Sequence, residues 1–405
     1  MPADHRKLGR ELDIFDSDPL IGAGLPFWLP AGAAARHEVE CYLYELERRA
    51  GYQHVHSPPM GKRRMYELSG HWENFSADMF PPMALGEDEL VLRPSLCPHH
   101  ALVFGARQRS YRDLPLRIAE LGGQYRAERS GVLGGLTRVR SMWLNDAHIF
   151  CPLPEVAEEV AGVLALMRQA HAALGISASS YQLSLRGDGG KYAGDDAQWA
   201  LGESLLREAL DAAGVAYEAA AGEAAFYGPK IDVQIADPAG RESTLATIQI
   251  DLHQPARFGL SYRTASGAKE APVMVHRSLA GSLERLFAVL LETHGGAFPV
   301  WYAPVQVVAL PVGEAERDAA AAFRRRAVDA GLRAEVDDDG SLAARIRAAA
   351  GRKIPYVAVI GAREAAEGQV ALRLRDGRRL PAMGAAEAVA LIGEVAHART
   401  VDLLV

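Results

Sequence analysis

Apolar residues recur at helical spacing in some stretches of the first 300 residues and alternate with polar residues in others. Spacing of three and four residues predicts helices, and alternation predicts strands. The predicted helices are residues 5–15, 32–50, 154–175, 200–213 and the second half of 273–295. Strands are predicted at 27–30, 52–60, in 89–107 leading into a helix near Cys97, and in a hairpin that starts within 225–237 and returns at 243–252. Antiparallel strands followed by helices on one side predict an α+β domain and argue against a doubly wound sheet.

The stretch from Tyr125 to Cys151 reads as strand, turn and strand, with SGVLGG supplying the turn. On this interpretation Arg126, Glu128, Arg138 and Arg140 project from strands. The planar guanidinium group of an arginine can bind phosphate oxygens in a fixed geometry. A nearby carboxylate can accept a hydrogen bond from an amine or hold one of the arginines in place. The alternative is a salt-bridged hairpin on a sheet edge.

The pattern changes after WYAP at 301–304. Strand, helix, strand, helix and strand follow in turn, then a hairpin around Asp376-Gly377 and a last helix over 385–398. This βαβαβ order predicts a small, mostly parallel α/β domain. The chain is therefore predicted to divide into domains at 1–300 and 301–405.

Basic residues of the second domain gather near its strand ends and hairpin; they are Arg345, Arg347, Arg352, Lys353, Arg373, Arg375, Arg378 and Arg379. One explanation is solubility. A basic edge on a protein with a net charge of -7 also suits a phosphate backbone, because nucleic-acid contact must then come from local patches.

The 405 residues are 49% hydrophobic and 23% charged, which is typical of an ordinary water-soluble chain of two or three domains. No window is apolar for long enough to predict a membrane helix. The charged start MPADHRKLGREL predicts no signal peptide. Three widely spaced cysteines, Cys41, Cys97 and Cys151, form no disulfide framework, so a reducing cytoplasm is expected.

Eight stretches in order carry a resemblance: KLGRELDIF, SGHWENF, YRDLPLRIAELG, GLTRVR, NDAHIFC, AFYGPKID, VMVHRSLAGSLERL and WYAPVQVV. The chain resembles the threonyl-tRNA synthetases, which are class II enzymes, over nearly its whole length. The resemblance implies an antiparallel sheet with flanking helices, a homodimer, and an anticodon-binding α/β domain. Because the matching block starts near His5, the N-terminal extension with the editing domain is expected to be missing.

The resemblance implies that ATP and threonine react to threonyl adenylate, and that the threonyl group then passes to tRNA. Arg126 would hold the α-phosphate and the attacking carboxylate, while Glu128 would accept from the adenine amine. Arg138 would hold the terminal phosphates, with Mg²⁺ bridging them.

Further nucleotide contacts are implied on other elements. Met142 would cover the adenine ring where the family has a phenylalanine. Gln249 would bind the ribose or the α-phosphate region. Arg285, in GSLERL and close to Ser282, would flank the adenine and phosphates. Taken alone, GSLERL is an amphipathic helix with solvated charges.

Cys97, His148 and His276 match the family's three zinc ligands, although their spacing by itself indicates no metal site. One thiolate and two imidazoles would leave a tetrahedral position of Zn²⁺ open. A metal with an open position can take both the amine and the hydroxyl of threonine. Valine lacks the hydroxyl and fails to complete the coordination, whereas serine has it and should be rejected only weakly. The alternative is three isolated structural side chains.

Other residues complete the implied site. Asp146 would hold the substrate hydroxyl, Tyr227 would line the amino-acid pocket, and Lys230 would add positive charge near the carboxylate or phosphate. His71 matches a histidine associated with transfer to the terminal ribose of tRNA. Its alternative is a hydrogen-bonded loop histidine.

The chain departs from the family pattern around the amino-acid pocket, where Ser95 and Leu144 stand in place of a methionine and a glutamine. Further departures are Leu96, Ala127, Arg129, Gly134, Asn145, His99 and Met142. These changes leave open a paralogue that activates threonine, or a related β-hydroxy or β-amino acid, for another acceptor such as a carrier protein. A non-catalytic tRNA-binding paralogue would be expected to lose Arg126 or Arg285, and both are present.

Overall fold

A computed structural model describes residues 4–189, 192–237 and 240–404. The helices in that part of the chain are α1 (His5–Glu11), α2 (Pro30–Arg49), α3 (Arg63–Leu68), α4 (His71–Phe75), α5 (Cys97–Gly105), α6 (Val156–Leu174), α7 (Asp196–Ala212), α8 (Gln254–Arg257), α9 (Leu283–His294), α10 (Arg317–Asp329), α11 (Leu342–Gly351), α12 (Ala362–Glu367) and α13 (Ala385–Ala398).

The strands are β1 (Phe15–Asp16), β2 (Phe27–Trp28), β3 (Gln53–His54), β4 (Met60–Lys62), β5 (Met83–Leu85), β6 (Asp88–Leu92), β7 (Arg109–Ser110), β8 (Leu116–Tyr125), β9 (Ser141–Cys151), β10 (Ser180–Leu185), β11 (Glu218–Ala221), β12 (Lys230–Ala236), β13 (Glu242–Asp251), β14 (Tyr262–Arg263), β15 (Lys269–Glu270), β16 (Val273–Ser278), β17 (Val307–Pro311), β18 (Ala334–Val336), β19 (Tyr356–Ile360), β20 (Gln369–Leu374) and β21 (Met383–Gly384).

The main sheet has eight strands in the order β11-β10-β12-β13-β16-β9-β8-β3. Its inner pairs are antiparallel, and only the outermost pairs, β10 with β11 and β8 with β3, are parallel. The long central pair β8 and β9 runs in register from Leu116 opposite Phe150 to Tyr125 opposite Ser141. The class II-like antiparallel sheet with flanking helices is therefore confirmed, together with the α+β class.

The two faces of this sheet have different partners because side chains alternate along each strand. Ala147 and Ile149 of β9 belong to a large apolar core shared with α2, α6 and α9. Phe150 belongs to a smaller core on the other face, where it packs with Cys97 and Phe104 of α5. The side chain of His148 therefore emerges on the face covered by α5.

Residues after 304 form a separate five-stranded sheet in the order β18-β17-β19-β20-β21. β17 is parallel to β18 and β19, but β20 and β21 are antiparallel additions. The expectation of a mostly parallel sheet is corrected to a mixed one. The hairpin after β20 closes through a single bridge between Arg373 and Arg379 instead of a second full strand. The last helix, α13, has its predicted bounds.

Some of the basic side chains in this unit serve its own structure. Arg345 is buried and donates to the carbonyl oxygens of Pro311 and Asp337. Arg352 forms an ion pair with Glu335 at 2.7 Å. The side chains that face solvent include Arg347, Lys353 and Arg379.

Two predicted elements near the start of the chain are shorter than expected. The predicted helix 5–15 ends at Glu11, and Phe15 lies in β1, where it pairs with Trp28. The predicted strand 52–60 is reduced to Gln53–His54.

The prediction that Arg126, Glu128, Arg138 and Arg140 project from strands is wrong. β8 ends at Tyr125 and β9 begins at Ser141, so all four lie in the connection 126–140. The ladder stops because the N–H of Arg140 donates to the carbonyl oxygen of Gly24, a contact from the distant N-terminal segment. The term arginine loop is used below for residues 126–140.

Candidate active site

Cys97, His148 and His276 come from three separate elements. Cys97 opens α5, while His148 on β9 and His276 on β16 lie opposite each other in register. All three are buried, and their sulfur and nitrogen ligand atoms lie within 4.8 Å of one another. The fold thus brings together three residues that are far apart in sequence.

A chain of hydrogen bonds from Glu120 through His100 fixes the orientation of His148. Burial raises the pKa of Glu120, but His100, Ser57 and Arg93 lower it to about 2, so Glu120 is a carboxylate. It accepts from Nε2–H of His100 at 3.3 Å. Nδ1 of His100 must then accept from Nδ1–H of His148 at 2.8 Å. The lone pair on Nε2 of His148 consequently points into the cluster.

His276 is oriented by a second carboxylate, Asp251, which is fully buried. Its Oδ2 accepts from Nε2–H of His276 at 2.9 Å. Its Oδ1 accepts from the backbone N–H groups of His253 and Gln254, both at 2.8 Å. Nδ1 of His276 therefore faces Nε2 of His148 at 3.1 Å.

This geometry suits a cation. Burial would raise the pKa of the Cys97 thiol, but His71 and His276 lower it to about 5, so a thiolate is favoured. Burial would lower the pKa of His276, but Asp251 and Cys97 raise it to about 10. A proton thus occupies the cluster when no metal is bound. Because one thiolate and two imidazoles are ligands that Zn²⁺ prefers, the residues present fit that ion.

His71 and Ser95 lie directly beside the cysteine. Nε2 of His71 is 3.5 Å from Sγ of Cys97 and 2.9 Å from Oγ of Ser95. On its other side, Nδ1 of His71 lies 2.8 Å from Oγ of Ser69, whose hydroxyl donates to the carbonyl oxygen of Tyr66. That hydroxyl must accept from Nδ1–H, so Nε2 is the ring nitrogen of His71 that faces Cys97 and Ser95.

Asp146 lies on β9 two residues before His148 and on the same face of the sheet. Burial, reinforced by the nearby Cys97 thiolate, raises its pKa to about 7. Its Oδ2 accepts from Nε2 of Gln124 at 3.4 Å. Asp146 is thus a buried carboxyl group beside the metal-ligand cluster.

Tyr227, Gln249 and Lys230 extend the site from His276 towards β12. The ring of Tyr227 stacks on His276 with centroids 4.7 Å apart. Its hydroxyl donates to Oε1 of Gln249, which pairs in register with both His276 and Lys230. Nζ of Lys230 lies 2.7 Å from Oδ2 of Asp232. Burial holds the pKa of Tyr227 well above its ordinary value, so the phenol is neutral.

The arginine loop carries an internal ion pair. Glu128 binds both Nε and Nη2 of Arg138, at 2.9 and 2.8 Å. Arg126 is half-buried, donates to the carbonyl oxygen of Pro94 at 3.4 Å and covers the ring of Phe75 at 5.4 Å. Burial lowers the pKa of Arg126, and Glu128 opposes that effect. In this structure Glu128 therefore holds an arginine, one of the two roles considered for it.

Arg285 and Ser282 lie at the start of α9. The hydroxyl of Ser282 caps the helix by accepting from the N–H of Arg285. The guanidinium of Arg285 donates to the carbonyl oxygens of Thr137 and Thr244. Together with Arg138 it lines a cavity of about 720 Å³.

Met142 and Leu144 are half-buried on β9, in register with Gln124 and Gly122 of β8. Leu144 also forms a bridge to Ser282. The two apolar side chains thus lie between the metal-ligand cluster and the start of α9.

The first helix fixes the far side of the arginine loop. Nε2 of His5 accepts from the backbone N–H of Leu136 at 3.2 Å, while Nδ1–H donates to Glu292 of α9 at 2.7 Å. The neighbouring Gly135 has φ +59°, and a Cβ there would lie 2.4 Å from Nε2 of His5. Only glycine therefore permits this close approach.

Several side chains that shape the site were not singled out by the sequence; they are Glu120, His100, Asp251 and Gln124. For two of them, the spacing in the sequence indicates a position near the site. Asp251 follows Gln249 by two residues on the same face of β13, and His100 follows Cys97 by nearly one helical turn.

Among the described residues, no helix is long and apolar enough to cross a membrane. Residues 83–294 match the family described as tRNA synthetase class II core domain (G, H, P, S and T), and residues 306–394 match the anticodon binding domain family.

Three relatives illustrate the similarity. The threonine–tRNA ligase of Geobacillus kaustophilus is 44% identical over 395 residues, which are 96% of this chain and 61% of that protein. The corresponding ligase of Thermus thermophilus is 46% identical over 386 residues, or 94% of this chain and 59% of that protein. The solved RNA binding domain of threonyl-tRNA synthetase from Cryptosporidium parvum has a TM-score of 0.92 and 34% identity, covering 97% of this chain and 98% of that one.

The chain thus spans about 60% of the length of its curated relatives. Its similarity to the Cryptosporidium parvum structure extends over nearly the whole of both chains. The chain belongs to the threonyl-tRNA synthetase family of class II aminoacyl-tRNA synthetases.

Proposed function

We propose that this protein activates threonine with ATP and transfers the threonyl group to tRNA. The observation that carries the proposal is the buried meeting of Cys97, His148 and His276 beside the carboxyl group of Asp146. Such a cluster can recognise an amino acid through both its amine and its hydroxyl group. Membership of the threonyl-tRNA synthetase family supports the same reaction.

We propose that Cys97, His148 and His276 hold Zn²⁺. When bound, the ion would supply a Lewis acid that recognises both the amine and the hydroxyl of threonine. Asp146 would accept a hydrogen bond from that hydroxyl. Valine offers no such donor, so Asp146 would be left buried without its substrate contact, and valine is rejected more strongly than serine.

In the activation step, a carboxylate oxygen of threonine attacks the α-phosphorus of ATP and the bond to pyrophosphate breaks. Arg126 would bind both the carboxylate and the α-phosphate, which holds the reacting atoms together and balances the developing charge. Arg138 would bind the terminal phosphates with Mg²⁺. Its ion pair with Glu128 supports this role because it holds the guanidinium in place near the cavity.

The remaining nucleotide contacts are proposed from position. Met142 and Arg285 would enclose the adenine ring, with Ser282 fixing the start of α9. Gln249 would bind the ribose or α-phosphate region. Oε1 of Glu128 would accept from the adenine amine, since the contacts with Arg138 use Oε2.

For the rest of the threonine pocket, Tyr227 would form a wall and Lys230 would add positive charge, with Ser95 and Leu144 facing the substrate. His71 would act in transfer, since its Nε2 is directed toward the site and, when unprotonated, would accept a proton from the ribose hydroxyl of tRNA.

We propose that residues 1–300 form the catalytic domain and residues 301–405 bind the anticodon region of tRNA. The match of residues 306–394 to the anticodon binding domain family supports this division. The exposed cations Arg347, Lys353 and Arg379 could contact phosphates. The free thiols of the three cysteines support a cytoplasmic location.

A homodimer is also proposed. β3 lies at the edge of the main sheet, beside Tyr44 of α2, which is 51% exposed. A cavity of about 340 Å³ with Leu43, Tyr44 and Val55 on its wall lies on the same side. An apolar surface next to an open sheet edge suits a second copy.

A second candidate function keeps the activation step and changes the acceptor. It is favoured by Leu144 and Ser95, which alter the wall of the amino-acid pocket relative to the family pattern. A carrier-bound thiol would then replace tRNA as the acceptor of the aminoacyl group.

The test is pyrophosphate exchange with ATP for a panel of amino acids that includes threonine, serine and valine, followed by transfer to tRNA. Exchange with threonine, weaker exchange with serine, and charging of tRNA are expected. Exchange without tRNA charging would select the second candidate. Absence of exchange with every amino acid would overturn both.

A further inference from the structure

Gln124 occupies an unusual position on β8, two residues before Arg126. It lies in register with Met142 of β9 and is only 1% exposed. Since side chains alternate along strands, Gln124 shares the site face with Asp146, which lies four residues beyond Met142 on β9.

The amide group of Gln124 is only half satisfied. Nε2 donates to Oδ2 of Asp146 at 3.4 Å. Oε1 is fully buried and has no hydrogen-bond partner within residues 4–189, 192–237 and 240–404. A buried acceptor without a partner is costly in a folded protein, and such groups are often completed by a ligand.

The strands around Gln124 explain how it reaches Asp146. Gly122, two residues before Gln124 on the same face, has no side chain and lies opposite Leu144. A Cβ at Gly122 would lie 2.8 Å from both Arg93 and Leu96, so these two side chains pack directly against the glycine. No side chain of residue 122 therefore stands between Gln124 and Asp146, and the glutamine amide reaches the carboxyl group.

The neighbouring position on β9 cannot supply a polar contact. Leu144, two residues before Asp146 on the same face of β9, is apolar and offers no hydrogen-bond partner. The amide group of Gln124, on the adjacent strand, lies close to that carboxyl group instead.

We propose that Gln124 is a specificity-determining residue whose Oε1 accepts a hydrogen bond from the amine of the amino-acid substrate. This assignment rests on the proposed function, because Asp146 is taken to hold the β-hydroxyl of the same molecule. The carboxyl group of Asp146 and the amide oxygen of Gln124 then recognise two neighbouring donors. The substrate class is an amino acid with a free α-amine and a β-hydroxyl group.

The test compares pyrophosphate exchange by the wild type and by Gln124→Met, which keeps the length of the side chain and removes the acceptor. The KM for threonine is expected to rise about tenfold or more, as for loss of one buried hydrogen bond. The KM for ATP and the bound zinc content are expected to stay within twofold of wild type. The double variant Gln124→Met/Leu144→Gln places an amide on the same face of β9 and is expected to recover most of the lost affinity.

Gln369→Leu is the matched control, since Gln369 is a half-buried glutamine on a strand of the C-terminal sheet. If Gln124→Met does not fold, Gln124→Leu and the double variant serve in its place. An unchanged KM for threonine in a folded Gln124 variant overturns this assignment alone. A loss of zinc together with the rise in KM would reassign Gln124 to a structural role. Absence of exchange by the wild type would instead overturn the proposed function.

Discussion

Oδ2 of Asp251 lies 2.9 Å from Nε2 of His276, and both side chains are buried. Because Nε2–H of His276 donates to the carboxylate, Nδ1 is the ring nitrogen directed at the cluster with Cys97 and His148. Asp251 is thus a positioning residue for a proposed metal ligand, and its own Oδ1 is held by two backbone N–H groups.

Asp251→Asn is expected to lower zinc affinity about 10- to 100-fold. The new amide places a donor where His276 also donates, so the imidazole must turn or change its tautomer. Zinc affinity measured by competition with a chelator gives the result. Asp376→Asn, on an exposed turn of the C-terminal hairpin, is the control. Unaltered zinc affinity in Asp251→Asn would show that Asp251 does not orient His276 for metal binding.

Cys97→Ser is expected to reduce bound zinc below about a tenth of the wild-type content and to abolish threonine activation, since a neutral hydroxyl replaces a thiolate. Metal analysis of the purified protein measures the first effect and pyrophosphate exchange the second. A cobalt-loaded sample should also lose the absorption band between sulfur and metal. Cys41→Ser, at an exposed site on α2, should keep all three signals. Full activity of metal-free Cys97→Ser would refute the metal site.

Arg126→Ala is expected to lower the rate of pyrophosphate exchange at least about 100-fold while the protein remains folded. The guanidinium is proposed to hold the reacting carboxylate and phosphate, whereas its visible protein contacts are a long hydrogen bond to Pro94 and a ring contact with Phe75. Arg129→Ala changes an exposed arginine of the same loop and should leave exchange unchanged. Equal loss in both variants would point to general disturbance of the loop.

The buried Glu284 on α9 is expected to make the free energy of unfolding depend on pH. Burial raises its pKa to about 7, although the N–H of Trp143 and the cation Arg36 oppose the shift. Between the unfolded pKa of 4.5 and pH 7 the folded state keeps a proton that the unfolded chain releases. Rising pH therefore favours unfolding through this window, and the effect is complete above pH 7.

Glu284→Gln replaces the titratable carboxyl group with an amide that does not change protonation in this pH range. Between pH 5 and pH 8, the wild type is expected to lose roughly 2 to 3 kcal/mol more of its free energy of unfolding than the variant. Urea unfolding at both pH values measures the difference. Glu394→Gln, on the exposed face of α13, should follow the wild type. Parallel pH dependence of wild type and Glu284→Gln would contradict the buried, protonated state.

The local pattern of apolar and polar residues was sufficient to predict those helices and strands whose formation is determined by their own sequence. The alternation in β12 and β13 and the apolar spacing of α13 identified those elements with small errors at the ends. The arginine loop was assigned wrongly because its strand pairing is ended by Gly24, a contact across more than a hundred residues. No local pattern contains that information.

The same holds for the site. Cys97, His148 and His276 were selected through family resemblance, and it is the register of β9 and β16 that brings the two histidines face to face. Asp251 and Gln124 were not predicted, because their roles depend on which atom each meets across a strand boundary. Hydrogen-bond direction in a buried cluster is a property of the assembled fold.

His5 joins the first helix to the peptide group of Leu136, and so to the segment that carries Arg138. The first helix therefore contributes to the path of the segment that carries the proposed phosphate-binding arginine. A tag, fluorophore or other polypeptide attached ahead of Asp4 that displaced His5 would remove this hydrogen bond to the segment.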